Sequence, residues 1–384
     1  MLTYGAILIY LIILAYNYDI SKKRRPNFGF HYAISCVLLI IVAAIRYRIG
    51  YDTINYMDTF RNAPTIQDII NGYDFSGDPL WFYIMGISKA IYNDFTVVQL
   101  FQSIIVNCAV FWFVRRHSPK PFIAILLYYT LLWWNLCFEA MREAIAVAFF
   151  LYALDGLLSG KGFKSYFLRV WPAIFAHTFG AVTLVFPFIK YLKLNKFTLI
   201  IFIGIIGLSF SVKDYLNEIV LMLEVVSDDA MAKGVKYLTS DTYGESGLSL
   251  MGIVSTVIGG ILPCVSVIAI LNRKANRGQN SLLPYVFICL CIVILRLQIP
   301  IFFRFLNYFE PLLIVAFTQA IAVEKSKLMR QFASVSMFFM VFIRMYSLTS
   351  PDVDTPIPAY YRYVPYNTIF TKDFNRNSEI IFSH

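Results

Sequence analysis

LTYGAILIYLIILAYNYDISKKRRPNFGFHYAISCVLLIIVAAI, residues 2–45, sets an apolar run, four consecutive basic residues and a second apolar run in a row. Leu2 to Tyr18 and Phe28 to Ile45 each approach the ~20 residues that a helix needs to cross a hydrocarbon core of ~30 Å. Lys22-Lys23-Arg24-Arg25 between them is a positive-inside signal, which puts that loop in the cytoplasm and the N-terminus outside. No basic leader and no small-residue cleavage site precede the first run, so it is expected to stay as a span.

The rest of the chain repeats this pattern. Of 384 residues, 59% are AVILMFWYC and only 15% are charged, and the mean hydropathy is +0.65. A soluble domain sits nearer ~45–50% apolar and ~25% charged, so the composition excludes one. Crossings of ~20 residues give an all-α polytopic membrane protein of about 10–12 transmembrane helices. The net charge of +10 lies in short clusters between apolar runs, which reads as topology and not as nucleic-acid binding. The six cysteines lie in or beside apolar runs without metal spacing, so neither a disulfide framework nor a metal site is expected.

Further spans are expected at about 95–114, 121–138, 140–158, 197–212, 249–271, 282–297, 301–323 and 332–348. Pro79 to Tyr92 is too short to cross and reads as re-entrant or interfacial. Residues 166–189 have basic flanks on both sides and His177-Thr178-Phe179-Gly180 at the middle, which points to two half-helices meeting at His177. Such a break is tolerated at depth only where protein or a wet cavity covers the backbone. The expected organisation is a transmembrane domain over 1–348, with outer loops 46–78 and 213–247, followed by an external Pro- and aromatic-rich tail over 349–384.

The informative residues are charges that the topology rule leaves over. Arg46, Arg48, Arg142, Arg296 and Arg304 fall at or near the outer ends of spans, where basic residues should be scarce. An arginine facing inward at this depth usually has an anionic partner such as a substrate phosphate; the plainer reading is snorkelling to the interface or pairing to Glu139, Glu143 or Glu310. Arg46-Tyr47-Arg48-Ile49-Gly50-Tyr51-Asp52 leaves a span directly, and a glycine turn there can aim guanidinium groups and Asp52 at one cavity. The plainer reading is a helix exit with capping residues. Glu139 and Arg142 share a helix face, as an ion pair or as substrate ligands. Arg304, Asn307 and Tyr308 share another, too polar for lipid. His177 suits proton transfer or diphosphate binding near neutral pH, although a lone histidine in apolar sequence is commonly a satisfied core group. Asp352-Val353-Asp354 has the Asp-x-Asp form of metal-dependent sugar transferases, but its place in the tail favours a plain loop. No Walker A loop, His-Glu-x-x-His or Gly-x-Ser-x-Gly occurs in the chain.

Residues 43–56, from Ala43 through Arg46-Tyr47-Arg48-Ile49-Gly50-Tyr51-Asp52 to Tyr56, resemble the Arg-Tyr-x-x-Gly-x-Asp-x-x-x-Tyr opening of the EpsG branch of Wzy-like bacterial polysaccharide polymerases. Met141-Arg142-Glu143-Ala144-Ile145-Ala146 is similar to that family's x-Arg-Gln-x-Ile-Ala helix start, with Glu143 where glutamine is usual. Ala176-His177-Thr178 and Arg304-Phe305-Leu306-Asn307-Tyr308-Phe309 resemble two later blocks. The likeness runs over roughly residues 5 to 345 and leaves the tail after Thr349 uncovered.

The resemblance implies a glycosyltransferase-C-like enzyme in the bacterial cytoplasmic membrane with its active site facing the exterior. It would polymerise undecaprenyl diphosphate-linked repeat units into O-antigen, capsule or exopolysaccharide, without a cofactor or metal, in contact with membrane lipid and with a chain-length regulator as a possible partner. Arg46, Arg48, Arg142 and Arg304 would bind diphosphate, Asp52 or His177 would act as base, and Tyr56, Tyr308 and Glu139 would position substrate. The competing class is a flippase or carrier of lipid-linked glycan, which would also need cavity arginines.

Overall fold

The computed structural model describes residues 2–21, 26–75, 77–207, 250–275, 282–352 and 355–371. The basic cluster 22–25, the expected outer loop 213–247, Asp354 and the tail beyond 371 lie outside the described residues. The described chain is helical except for a short antiparallel ladder that pairs Pro351 with Pro358 and Asp352 with Thr355. Among the described residues, five helices are long and apolar enough to cross a membrane: Leu2–Ile20, Phe95–His117, Gly252–Arg273, Phe302–Val323 and Lys327–Ser347. Shorter apolar helices occupy Phe28–Ala44, Pro121–Leu131, Thr178–Ile189, Lys196–Gly207 and Leu283–Leu295. This is an all-α polytopic membrane protein.

The chain forms two compact units. The first takes Met1–Pro187 and Ser347–His384, the second Phe188–Tyr346. The described part of the tail belongs with the first unit.

In the first unit, α1 (Leu2–Leu14) continues through a wider π turn and packs beside α7 (Pro121–Leu131). α2 (Phe28–Ala44) and α6 (Phe95–His117) pair along their length, and the Tyr32 hydroxyl donates to the Phe111 carbonyl at 2.7 Å. Asp94 caps α6 by accepting from the Thr96 N–H at 2.8 Å. Arg115, Arg116 and His117 fill its last turn, where the helix dipole favours cations. α8 (Met141–Leu158) is buried along most of its length. Its small residues Ala144, Ala146, Ala148, Ala153 and Gly156 let neighbouring helices approach closely. Near the end of α8, Asp155 accepts from Arg116 Nε at 2.6 Å and lies 2.9 Å from His117 Nε2.

Between α2 and α6 lie the short helices α3 (Thr53–Asn62) and α4 (Ile66–Ile70), followed by α5 (Pro79–Ile91). A reciprocal capping box starts α4, with Thr65 and Asp68 each satisfying the other's backbone N–H. α5 has 13 residues, a length of only ~20 Å, so it does not reach across a bilayer. Gly86 lets it sit against the Ile66 and Ile69 side chains of α4.

The interrupted helix is present. α9 (Phe163–Ala176) stops at His177, whose backbone is extended (φ −160°, ψ 137°), and the chain resumes as a 3-10 helix over Thr178–Val185. The Tyr166 hydroxyl donates to the Thr183 carbonyl at 2.7 Å, so the returning arm runs back beside the start of α9. Gly180 makes the close turn feasible, because a Cβ there would overlap the Ala173 carbonyl.

The second unit is built around Leu306–Val323, nearly all of which is buried. Gly260 presses against Val293 and Gly259 against Ile343, and the Ser266 and Ser336 hydroxyls meet at 3.0 Å. Close contact between small residues and hydroxyl pairing are the adhesive forces available between apolar helices in lipid. Glu310, 4% exposed, accepts from Arg344 at 2.7 Å, while Arg296 reaches the Thr256 hydroxyl at 3.4 Å.

Gly180→Ala is expected to cost about 1–3 kcal/mol through overpacking at the hairpin. This should appear as a lower Tm of the purified protein in detergent. Gly204→Ala, a position with nothing within 4 Å of the new methyl, should leave Tm in place.

Candidate functional site

The site grows from the turn that ends α2. Arg46 is 1% exposed. Its Nη1 donates to the Ala43 carbonyl, its Nε to the Ile49 carbonyl at 3.4 Å, and its Nη2 meets Met141 Sδ at 3.2 Å. The guanidinium also lies 4.8 Å from the centre of the Phe138 ring, and burial pushes its pKa down to about 10. All three nitrogens are thus engaged by protein, so Arg46 pins the turn and is not placed to hold a diphosphate. That differs from the role expected of it, because its side chain folds back under the loop it opens.

Beyond Arg46 the backbone turns sharply, with φ +53° at Arg48 and +102° at Gly50. A Cβ at Gly50 would stand 2.6 Å from the Phe138 carbonyl oxygen. Glycine is required there on both counts. Thr53 Oγ donates back to the Ile49 carbonyl at 2.6 Å as α3 begins.

The described tail closes over this turn. The Tyr47 N–H donates to the Asn367 carbonyl at 3.0 Å, Gly50 N–H to the Arg362 carbonyl at 3.1 Å, and Ile369 N–H to the Ile45 carbonyl at 2.9 Å. Glu139 ties the two segments together. One carboxylate oxygen accepts from the Tyr51 N–H at 2.9 Å and the other from the Tyr363 hydroxyl at 2.7 Å. Burial lifts the Glu139 pKa above the usual carboxylate range, against the opposing pull of Arg362. The Arg362 guanidinium itself stacks 4.7 Å from the centre of the Tyr51 ring. Glu139 is therefore a structural clasp in this geometry. Neither Arg362 nor Tyr363 was among the expected site residues; no local motif marks either, since their partners lie more than 200 positions away.

A second cluster forms where α5, α8 and the interrupted helix meet. Asp78, immediately before α5, is 7% exposed. Its Oδ2 accepts from Arg142 Nη1 at 2.9 Å, and its Oδ1 accepts from the Thr178 N–H at 3.2 Å and the Thr178 hydroxyl at 3.4 Å. One carboxylate thus fixes the first turn of α8 and the tip of the hairpin. Asp78 was not among the expected site residues; its only signal is an acid placed directly before Pro79 and an apolar helix. Arg142 keeps 42% of its side chain exposed, and its guanidinium lies 5.7 Å from the centre of the Tyr56 ring. Tyr56 is buried and its pKa is pushed up to about 12 by that burial. Asp52, at the head of α3, lies close enough to raise the Tyr56 and Glu139 values electrostatically and to stabilise charged Arg142. Asp52, Tyr56, Glu139 and Arg142 are therefore brought together.

His177 stands beside this junction at the hairpin tip. Its Nδ1 accepts from the Phe179 N–H at 3.0 Å. A ring nitrogen that accepts carries no proton, so the neutral imidazole bears its hydrogen on Nε2. Glu143, the departure from the family pattern, is buried in the first turn of α8. Arg48 lines a separate cavity that Arg142 does not reach.

Arg304 and Tyr308 belong to the second unit. Arg304 lies in a 3-10 turn over Pro300–Phe305 that leads into Leu306–Val323, and Tyr308 and Asn307 are buried at the start of that helix. Of the polar stripe expected there, Asn307 and Tyr308 are buried and Arg304 is half-buried.

Two substitutions test the clasp. Tyr363→Phe removes one hydrogen bond to Glu139 and should cost about 1 kcal/mol or somewhat more, since the acceptor is charged. Combining it with Glu139→Gln should cost less than the sum of the two single changes, because both break the same contact. Thermal unfolding of the four proteins checks this, and strict additivity would show that the clasp does not form. Gly50→Ala should be more destabilising than either single change, and should make residues 45–52 more susceptible to limited proteolysis.

No curated protein and no solved structure gives a significant match to the chain. The model of the EpsG family matches residues 29–368. The match therefore includes the tail segment over the turn, further than the four sequence blocks reach. That family includes Wzy-like polysaccharide polymerases, and this chain belongs to the EpsG family.

Proposed function

We propose that the protein polymerises lipid-linked oligosaccharide repeat units, transferring a glycan from a polyprenyl diphosphate, undecaprenyl diphosphate in bacteria, to a sugar hydroxyl of a second lipid-linked unit. The observation that carries this reading is the junction of Arg142, Asp78 and Thr178, with Tyr56 and Asp52 beside it. It pairs a half-exposed cation, able to meet an anion, with a carboxylate that is not its ion-pair partner.

The chemistry asks for that combination. The acceptor oxygen attacks the anomeric carbon, the bond from that carbon to the diphosphate oxygen breaks, and the diphosphate leaves with the electron pair. Arg142 offsets the growing negative charge without a metal ion. Asp52 takes the acceptor proton as the new bond forms. His177 is less suited to that step, because Nδ1 already accepts from the backbone and Nε2 carries the hydrogen; its role is to donate to substrate or to hold the hairpin tip. Asp78 orients Arg142. Arg304 and Tyr308 are assigned to substrate binding on the second unit, and the active site faces the exterior of the cytoplasmic membrane.

Purified protein incubated with lipid-linked repeat units, without added nucleotide or metal, should yield a ladder of longer products. Movement of those lipids across a bilayer with no lengthening would establish a carrier instead. Asp52→Asn should lower kcat by about 10²–10⁴-fold with KM nearly unchanged, the range for losing a general base. Arg142→Ala should abolish the ladder in folded, inserted protein. If Asp52→Asn keeps full activity and His177→Ala loses it, the assignment of the base is reversed.

A further inference from the structure

α6, α8 and α9 build a second polar corner, at the ends of α8 and α9 remote from Arg142 and His177. Gly160, with φ +83°, closes α8, and the Lys161 N–H turns back to donate to the Gly156 carbonyl at 2.9 Å. That turn carries the Lys161 side chain over Gly156, where Arg169 of α9 also arrives. A Cβ at Gly156 would stand 2.5 Å from Arg169 Nη1 and 3.6 Å from Lys161 Cδ. Two basic side chains thus share the space left by an absent one. The Arg169 guanidinium lies 5.0 Å from the centre of the Tyr152 ring, Tyr152 lies 5.6 Å from Trp112, and Arg116 lies 5.3 Å from Trp112 on the far side.

The charges in this corner do not balance. Asp155 is the one acidic residue on α6, on α9 or in the second half of α8, and it already accepts from Arg116 and lies against His117. Among the described residues, the Lys161 and Arg169 side chains form no ion pair and no hydrogen bond. The dipole at the end of α8 offers them about half a charge, short of the two they carry. Lys161, Arg116 and Tyr152 are exposed and Arg169 is half-buried, so an anion can reach the cations from outside.

The surface leading to the corner identifies that anion. Leu100, Ile104, Cys108, Trp112 and Arg116 follow one another at every fourth position of α6, and each is exposed or half-buried. They form a ridge along one side of the helix, apolar for most of its length and cationic at its end. Lipid chains cover such a ridge in a membrane, and the headgroup of the same lipid then meets the cations first. Trp and Tyr at this level suit the boundary between chains and headgroups. A zwitterionic headgroup brings its own cation to two uncompensated ones, whereas an acidic headgroup does not.

We infer that this corner binds an acidic phospholipid, with its phosphate between Lys161 and Arg169, its headgroup beside Tyr152 and Trp112, and an acyl chain along the α6 ridge. Basic pockets between membrane helices on the side marked by Lys and Arg take headgroups of this class. The bound lipid ties α8 to α9 at the ends opposite Arg142 and His177. The inference does not depend on the polymerase reading.

The test titrates full-length protein in detergent with dioleoyl phosphatidylglycerol, with the phosphatidylcholine of the same chains and with glycerol phosphate, counting bound lipid by native mass spectrometry. Phosphatidylglycerol should bind about tenfold or more tighter than phosphatidylcholine. Arg169→Gln and Lys161→Gln should each weaken phosphatidylglycerol about fivefold and leave phosphatidylcholine unaffected. Lys164→Gln removes an equal charge from an exposed position at the start of α9, outside the corner, and should change binding less than about twofold. Lys161 is exposed, so its replacement keeps the fold and reads the site independently of Arg169. Equal binding of the two lipids, a loss with Lys164→Gln as large as with Lys161→Gln, or no effect of either corner substitution would overturn the assignment. Displacement of the lipid by an equal concentration of glycerol phosphate would mark a site for soluble anions and overturn it as well.

Discussion

The fold around the site depends on one buried guanidinium. Arg46 leaves a membrane helix and turns back into the protein, where the Ala43 and Ile49 carbonyls, Met141 sulfur and the Phe138 ring surround it. Burying a cation is costly unless its donors are met, and here the acceptors are carbonyls of the same turn. Satisfying the charge and shaping the loop are thus one event. The loop in turn sets Gly50 against Phe138, presents Tyr51 to Glu139, and starts α3 with Asp52 and Tyr56 directed toward Arg142. Losing the Arg46 charge would leave orphaned carbonyls as well as an unpinned turn.

Much of this was legible in the sequence. Apolar runs and basic clusters carry the membrane fold, because desolvation of charge is the largest local energy in a bilayer and leaves its mark residue by residue. The break at His177 was legible from its basic flanks and the short arms on either side. Asp52, Tyr56, Glu139 and Arg142 were named among nine residues expected to share one site, with Arg46, Arg48, His177, Arg304 and Tyr308, and nothing in the sequence set these four apart. The direction in which Arg46 points was not legible either: a guanidinium aimed outward at substrate and one folded under its own loop have the same sequence. Asp78 was hidden for another reason. A single acid ahead of a short helix has no periodicity, and its importance comes from two partners, Arg142 and Thr178, that lie 64 and 100 positions away.

The two acids beside Arg142 do different work. Asp78 is buried and accepts from three donors, so its charge is used in holding α8 and the hairpin tip in place. Asp52 is at a helix head without a side-chain capping bond, and it acts electrostatically on Tyr56, Glu139 and Arg142. A preorganised cation beside a carboxylate of that kind is the arrangement expected where charge develops during a reaction.

The hydrogen bonds between residues 45–50 and 362–369 join segments more than 300 positions apart in the chain. The backbone contacts to Tyr47 and Gly50, and the Tyr363 hydrogen bond to Glu139, therefore form only when the far end of the chain is in place. Closing so long a loop is slow, since its entropy is lost before the contacts repay it, so the cover over the Arg46 turn is a late event in folding.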